Sequence, residues 1–397
     1  MAFFVNRDLN HLSAHATLHA LAWCFCGLFS ALFLLRAGLS IPETFLAFAA
    51  MLVLRFALRP LVLALAPAIG LRRTLIVGTL LFALQFPMLA FVHGVGLALG
   101  LFCFLAALGD VVYWTTSHAL FAALGEIELR GTQVAERQAL GALAQVLGPA
   151  AGGVMLALLG PWPAFLTAFA IEIAAIVPLL YIAEPPIARE PPPGAYASAK
   201  AGIWLFVCDA WIVNTATVAW SIVMFRAVGA RYDAFGGALA AASLAGAIGG
   251  MVLGRFIDRG HALQLSLVNA VVLAGSLVVK SVCGETPLAV VSVAIGTTML
   301  GGLYVPALMS AIYNEAKVSP CPLRFHFAAE GGWDAGGTAA CLLAAAVCAA
   351  DAPLQVVILL ALPVVAVQCW LLIASYARHG RARPRAATVA PMIMGDV

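Results

Sequence analysis

The sequence carries very little charge. Only 10% of its 397 residues are Asp, Glu, Lys or Arg, whereas 63% are hydrophobic. A soluble domain carries about 25% charged residues, so this composition excludes a soluble globular fold. The net charge is only +3, which gives no electrostatic reason to expect a nucleic-acid partner. The partner that such a composition predicts is the lipid bilayer.

Motifs of several other protein classes are absent. No CxxC pair occurs among the nine cysteines, so neither a zinc knuckle nor a disulfide framework is indicated. The chain has no HExxH or GxSxG motif of an enzyme, and no G-x-x-x-x-G-K-[ST] loop for ATP. It also lacks the repeated filter of a channel. We therefore expect no enzyme activity, no cofactor and no metal site.

Long apolar runs occupy almost the whole chain. A helix needs about 20 such residues to cross a bilayer. Twelve stretches qualify: 14–35, 41–66, 74–92, 95–122, 138–159, 164–182, 201–225, 235–256, 263–281, 287–312, 327–349 and 353–376. The alternation of polar and apolar residues that marks a β-barrel is not observed. The sequence predicts an all-α membrane protein with twelve transmembrane helices.

The loops between these runs alternate in charge. One set is short and mostly uncharged, and the other holds the cations: Arg72, Arg73, Arg130, Arg137, Arg189, Lys200, Arg255, Arg259, Lys317, Arg324, Arg378, Arg381, Arg383 and Arg385. By the positive-inside rule the cationic set and both termini are cytoplasmic. We expect a multi-pass protein of a bacterial inner membrane.

A proline-rich stretch divides the chain near its midpoint. "AEPPIAREPPPGAYASAK" covers residues 183–200, and its prolines prevent the flanking helices from continuing through it. The predicted organisation is an N-terminal six-helix bundle (1–182), a cytoplasmic linker (183–200), a C-terminal six-helix bundle (201–377) and a cytoplasmic tail (378–397).

Three local motifs accompany this organisation. "GPAAGG" in the fifth span contains Gly148, Pro149, Gly152 and Gly153, and Arg130 with Gly131 precedes that span. "GRFIDRG" after the eighth span contains Gly254, Asp258 and Arg259, and "LALAPAIGLRR" (63–73) is its counterpart in the first half. Together with twelve spans and a central linker, these motifs resemble the major facilitator superfamily over the full length. The resemblance implies two pseudo-symmetric bundles and transport by alternating access.

The chain departs from the family pattern at three positions. Pro67 stands where the first loop motif has an aspartate, and Ala144 replaces one glycine of the fifth-span motif. Leu105 stands where proton-coupled drug exporters often carry an arginine. A proton-driven multidrug exporter is therefore only one of the alternatives.

Ionisable residues inside the spans are the functional candidates, because a charge at bilayer depth is costly. In facilitators the first, fourth, seventh and tenth helices line the cavity, which implies that Asp110 and Asp209 lie beside substrate. Tyr113 and Trp114 follow Asp110, and a carboxylate with aromatic rings suits an organic cation or a proton. The alternative is a hydrogen bond between helices. Glu172 is expected on a peripheral helix, in a structural role.

His326, Glu330 and Asp334 form a stripe with a spacing of four residues on the eleventh span. Arg55 and Arg59 have the same spacing on the second span, which the family packs against the eleventh. The two helices run antiparallel, so matched depth predicts the pairs Arg59–Glu330 and Arg55–Asp334. The alternative is that the arginines reach the interface while the acids face a wet cavity.

Three histidines at the start of the chain share one helix face. His11, His15 and His19 are four residues apart, a spacing that can bind a transition metal. No acidic or cysteine ligand is adjacent, so an interfacial role is the favoured interpretation, and His19 alone can reach the cavity.

The predicted function is secondary transport of a small molecule across the inner membrane, coupled to H⁺, by a monomer. The fifth-span motif favours efflux. The alternative is proton-coupled uptake of a sugar, an organic acid or an amino compound, and a transition-metal exporter, a channel or a membrane-embedded enzyme is less favoured.

The charge pattern of the loops gives a first testable prediction. Reporter fusions at either terminus should be active only when the reporter functions in the cytoplasm, because the cationic loops stay inside. An external C-terminus would contradict the predicted number of spans.

Overall fold

Helices make up nearly the whole protein. The computed structural model describes residues 6–124, 130–187, 190–257 and 262–382, and no strand occurs within these ranges. The helical segments are α1 (Arg7–Arg36), α2 (Ile41–Leu58, continued by Pro60–Ile69), α3 (Leu71–Ala90), α4 (Leu97–Leu124), α5 (Arg130–Leu158), α6 (Pro161–Leu179), α7 (Ala197–Ala227), α8 (Tyr232–Ile257), α9 (Ala262–Val282), α10 (Pro287–Leu300, continued by Gly301–Leu303 and Tyr304–Val318), α11 (Pro322–Ala349) and α12 (Leu354–Leu359, continued by Leu362–Ala382). The predicted twelve-helix all-α fold is confirmed.

Most of these segments are long enough to cross a bilayer. Within the described ranges, nine helical stretches combine the necessary length and hydropathy. Ser266–Val282 and Pro287–Leu300, which cover most of the predicted ninth and tenth spans, are shorter apolar helices. In α10 the continuous helix is short because a 3₁₀ turn interrupts it at Gly301–Leu303.

The start of α1 differs from the prediction. The apolar run begins at residue 14, but the helix begins at Arg7 because Asn6 caps it. The side-chain oxygen of Asn6 accepts a hydrogen bond from the backbone N–H of Leu9 at 3.0 Å. Such a cap satisfies an N–H group that would otherwise lack a partner. A polar first turn therefore precedes the membrane-crossing part of the helix.

Several helices are interrupted near their middle. A 3₁₀ turn at Gly27–Phe29 breaks α1, and a π-helical turn at Val213–Thr217 breaks α7. In α2 the break falls at Arg59, directly before Pro60, whose nitrogen has no proton to donate. The N–H of Arg59 donates to the carbonyl of Phe56, three residues earlier, at 3.3 Å, and not to the carbonyl four residues earlier as in a regular α-helix. Arg59 is itself one of the buried arginines.

One end of the bundle carries the N-terminus and the linker, and we call it the linker end. A carboxylate oxygen of Asp8 accepts from the N–H of Ala183 at 3.2 Å, and the guanidinium of Arg72 donates to the carbonyl of Ile182 at 2.7 Å. The side-chain amide of Asn6 donates to the carbonyl of Leu124 at 3.2 Å, so the C-terminal end of α4 lies there too. The location of this end in the cytoplasm stays a prediction.

The residues between α6 and α7 have the character predicted for a linker. Residues 183–187 and 190–196 contain no helix, and helical structure resumes at Ala197. Gly70, between α2 and α3, lies against this linker. Its φ is +96°, and a side chain there would collide with Glu184. The domain boundaries placed at 182 and 201 stay a prediction.

The fifth-span glycines pack α5 against two helices. Gly148 and Gly152 face α1, where an added Cβ would meet the Cβ of Cys24 at 2.6 Å and the carbonyl oxygen of Phe25, respectively. Gly153 faces α8, where an added Cβ would lie 2.5 Å from the carbonyl oxygen of Tyr232. Glycines thus allow close backbone approach both within the N-terminal half and across to the C-terminal half.

A matched pair of substitutions tests this packing. Gly152→Ala should lower the unfolding temperature in detergent, because overpacking costs about 1–3 kcal/mol. Gly141→Ala, in the same helix, should be neutral or slightly stabilising, since nothing lies within 4 Å of its added Cβ. Equal unfolding temperatures for the two variants would contradict the close approach.

Candidate functional site

Five charged side chains meet between α2, α4 and α11. They are Arg55, Arg59, Asp110, Glu330 and Asp334, and we call them the charge cluster. None of the five residues is more than 9% exposed. The two arginines are one turn apart on α2, and Glu330 and Asp334 are one turn apart on α11. The cluster therefore joins the N-terminal half to the C-terminal half.

Arg55 is shared among three carboxylates. Its Nη2 atom contacts Oε2 of Glu330, and its Nε atom lies 3.1 Å from Oδ1 of Asp334. Its Nη1 atom lies 3.7 Å from Oδ2 of Asp110, a longer contact. A guanidinium has donors in a fixed planar fork, which lets one arginine bridge several acceptors.

Arg59 is fixed by both side-chain and backbone acceptors. Its Nη2 atom contacts Oδ2 of Asp334, and its Nε atom donates to the same oxygen at 3.1 Å. Its Nη1 atom donates to the hydroxyl of Thr115 at 3.2 Å, and Nη2 donates to the backbone carbonyl of Glu330 at 3.0 Å. Arg59 thus contacts both α4 and α11 at the break in α2.

The pairing differs from the predicted ladder at one position. The Arg55–Asp334 contact is present, but Arg59 contacts the carboxylate of Asp334 and only the backbone of Glu330. Helical side chains lean toward the N-terminus of their own helix. Arg59 and Asp334 therefore lean toward each other, because α2 and α11 run antiparallel. The predicted Arg59–Glu330 pair is wrong for this reason.

His118, on α4, completes the contacts of Glu330 and was not predicted. Its Nε2 atom lies 3.5 Å from Oε1 of Glu330, and its Nδ1 atom lies 2.8 Å from the hydroxyl of Tyr313 on α10. His118 follows Trp114 by one turn and Asp110 by two, so the helical spacing could have revealed it. The predicted His326 stacks on His118, with ring centroids 5.3 Å apart.

A second buried group lies inside the N-terminal half. Nδ1 of His19 lies 2.8 Å from Oε1 of Glu172 on α6, so the glutamate expected to be peripheral has a histidine partner. The ring of Tyr113 stacks on His19, with centroids 3.7 Å apart, and Trp114 meets the same imidazole at 5.4 Å. Tyr113 is fully buried there, in a packed aromatic group rather than at a cavity surface.

Asp209 lies in a separate polar group of the C-terminal half. The hydroxyl of Tyr304 on α10 donates to Oδ1 of Asp209 at 2.6 Å. The side-chain amide of Gln368 on α12 donates to the tyrosine oxygen at 3.0 Å. Asp209 is 8% exposed, and its described partner is neutral. Asp110 and Asp209 therefore belong to different halves and different hydrogen-bonding groups.

The three N-terminal histidines have three different partners. His11 stacks on Tyr181 at 5.4 Å, the Nδ1 atom of His15 lies 2.8 Å from the carbonyl of Ala175, and His19 contacts Glu172. Within the described ranges, no group of three or more His, Cys, Asp or Glu side chains is arranged to hold a metal ion.

The loop motif after α8 is only partly described. Gly254 lies in the last two turns of α8, whereas Asp258 and Arg259 lie outside the described residues. Their predicted role as a loop latch stays a prediction.

Double-mutant cycles test the observed pairing. Removing one member of a buried ion pair typically costs about 3–5 kcal/mol, because the other charge loses its partner. Arg59→Gln should therefore couple strongly to Asp334→Asn and weakly to Glu330→Gln in the free energy of unfolding, while Arg55→Gln should couple to both. Stronger coupling of Arg59 to Glu330 than to Asp334 would contradict the observed pairing and support the predicted Arg59–Glu330 pair.

Comparisons with known proteins agree with this architecture. A sequence profile described as Major Facilitator Superfamily matches residues 12–319. The structure is similar to that of the nucleoside transporter NupG, with a TM-score of 0.63, 12% identity and coverage of 93% of this chain and 99% of that one. It is also similar to the E. coli fucose:proton symporter FucP, with a TM-score of 0.65, 11% identity and coverage of 94% and 99%, respectively. Comparison with curated proteins gives no match. Because the profile covers more than half of the sequence, the chain belongs to the Major Facilitator Superfamily.

Proposed function

We propose that this member of the superfamily is a proton-coupled transporter that exports a small molecule by alternating access. It would work as a monomer in the inner membrane of a bacterium, with both termini in the cytoplasm. Family membership supports transport rather than catalysis. The coupling ion, the direction and the substrate site are inferred from the residues.

The observation that carries the proposal is the charge cluster between the halves. Alternating access requires α2 and α11 to change their contact, because they belong to different halves. Separating buried opposite charges without replacement partners costs several kcal/mol. A proton or a charged part of the substrate must therefore compensate the carboxylates when the contact changes. Such a requirement couples ion binding to the conformational change.

Asp110 is the carboxylate of the cluster with the weakest compensation. Its contact with Arg55 is 3.7 Å long, and Arg55 also contacts Glu330 and Asp334. Trp114 lies one turn away on the same helix and is partly exposed. We assign Asp110, with Trp114, to the binding of substrate or proton.

Asp209, on α7, is the carboxylate that we assign to binding in the C-terminal half. Its partner Tyr304 supplies a hydrogen bond but no charge. A buried carboxylate without a cation is costly, so it takes up a proton or a cationic group readily. Asp209 lies one turn before the π-helical segment of α7, and such segments are frequent at functional sites.

Export is supported by the fifth-span motif. Gly153 and Pro149 bring α5 against Tyr232 and Gly236 of α8, so the motif lies at the contact between the halves. Exporters of the superfamily often carry such a motif, which favours efflux over uptake for this chain.

The substrate can be found with the purified protein. Thermal unfolding is measured at two pH values with a panel that includes nucleosides, fucose and lipophilic cations, since a ligand of the folded state raises the unfolding temperature. The ligand found is then assayed in proteoliposomes of both orientations with a pH dye inside. Coupled proton movement toward the opposite side supports export. Movement in the same direction as substrate supports uptake, and the absence of proton movement contradicts the coupling.

Substitution of the two aspartates tests their assignment. Asp110→Asn should abolish transport and Asp209→Asn should impair it strongly, while both proteins remain folded, because an amide cannot exchange a proton or bind a cation electrostatically. Asp351→Asn is the control, since Asp351 is exposed and its φ of +56° suits asparagine equally well. Wild-type transport by both variants would make these carboxylates structural.

A further inference from the structure

We propose that His118 carries the proton that balances the charge cluster, and that this proton holds α4 against α10 and α11 at the linker end. The proposal deepens the proposed function, because it assigns the coupling proton to a residue. Its structural part does not require a substrate.

The contacts of His118 cross the interface between the halves. The residue lies on α4 in the N-terminal half, whereas Tyr313 and Glu330 lie on α10 and α11 in the C-terminal half. Phe121, one turn closer to the linker end, meets Tyr313 with ring centroids 5.3 Å apart. His118 is 7% exposed. A titratable ring thus lies inside the seam that must open for access from the linker end.

The charges of the cluster show why a proton is needed. Two guanidinium groups face three carboxylates, so the five side chains carry one negative charge in excess. Arg55 already contacts all three carboxylates, and Arg59 contacts Asp334. The remaining oxygen of Glu330, Oε1, points to His118. A protonated imidazole at this position makes the cluster neutral.

The surroundings favour a positive charge on one of the two stacked histidines, His118 and His326, and not on both. Glu330 and Asp334 on α11 and Asp110 on α4 attract a proton, whereas Arg55 and Arg59 on α2 repel it. His326 on α11 stacks on His118, and two protonated rings at 5.3 Å would repel each other. Tyr313 on α10 can accept a hydrogen bond from the Nδ1–H group of the protonated ring.

Loss of this proton should loosen the linker end. The protonated ring donates from Nδ1 to the Tyr313 hydroxyl at 2.8 Å and forms an ion pair with the Glu330 carboxylate at 3.5 Å, and both contacts join the two halves. A neutral ring loses the charge-assisted attraction to Glu330 and leaves the cluster with a buried excess charge. The equilibrium between closed and open forms then shifts toward the open form.

The other buried histidine–carboxylate pair is a matched control. His19 and Glu172 are also buried and in contact, but both lie in the N-terminal half. Within the described part of the chain, neither side chain contacts the C-terminal half, although a positive charge on His19 acts at longer range on Asp110. His19→Gln should therefore shift the midpoint of the pH response without abolishing it.

The experiment measures the opening of the linker end directly. Spin labels are attached at Ala123→Cys and Val318→Cys, exposed positions near the linker ends of α4 and α10. The three partly exposed native cysteines, Cys283, Cys348 and Cys369, are replaced by serine. Distances are recorded by pulsed electron paramagnetic resonance, without substrate, between about pH 5 and about pH 8, where imidazole side chains change charge.

We expect the wild type and His19→Gln to have a short distance at low pH and an additional longer one at high pH. His118→Gln should lose this pH response. Tyr313→Phe removes one acceptor of the protonated ring, so the midpoint of the change should move to lower pH. The Tyr313→Phe variant also provides a test of the proposal if His118→Gln does not fold.

Three results would overturn the proposal. They are an unchanged pH response in His118→Gln, an unchanged midpoint in Tyr313→Phe, and no response in the wild type. Loss of the response in Asp110→Asn, together with its persistence in His118→Gln, would place the proton on Asp110. Proton coupling in the proteoliposome assay would then still stand, so the two proposals fail separately.

Discussion

The structure depends on one constraint, which is that buried charges from two halves of the protein must neutralise each other in a low dielectric. Arg55 and Arg59 on α2 are almost completely buried, so they need the carboxylates of α11 and α4. The need is mutual, because Glu330 and Asp334 are equally buried. The charges therefore specify how α2 and α11 face each other, beside the apolar contact of Leu52 with Gly337.

The remaining architecture positions this contact. Pro60 follows Arg59 directly and restarts α2 after the break. At the other contact between the halves, the glycines of α5 let this helix approach both α1 and α8 closely. One seam between the halves is thus a glycine contact that approaches through backbone atoms, and the other is an electrostatic contact. The glycine contact is made by backbone atoms, and the charged group beside it, Arg36 of α1, donates to the backbone carbonyl of Ala230. The two seams therefore make different kinds of contact.

Much of the fold could be predicted from the sequence, because lipid demands long apolar helices and the loops between them are short. The pairing of buried charges followed from helical spacing and antiparallel direction, which gave Arg55 with Asp334 correctly. The same reasoning failed for Arg59, since Cα depth ignores the direction in which helical side chains lean. Tyr113 was expected near a cavity, but tertiary packing places it on His19, a contact that spacing along one helix cannot reveal. His118 was overlooked because a single histidine in an apolar run carries no signal until its partners on α10 and α11 are known.

The central claim is that the charge cluster serves conformational coupling and contributes little net stability. The most direct measurement uses a variant in which all five charges are removed together, with both arginines and Glu330 replaced by methionine and Asp110 and Asp334 by leucine. Removal of a whole buried ionic network is often neutral or stabilising, because the desolvation cost disappears with it. The account predicts an unfolding temperature close to that of the wild type and a distance between α4 and α10 at the linker end that no longer depends on pH. A variant that unfolds, or one whose linker end still opens with rising pH, would contradict it.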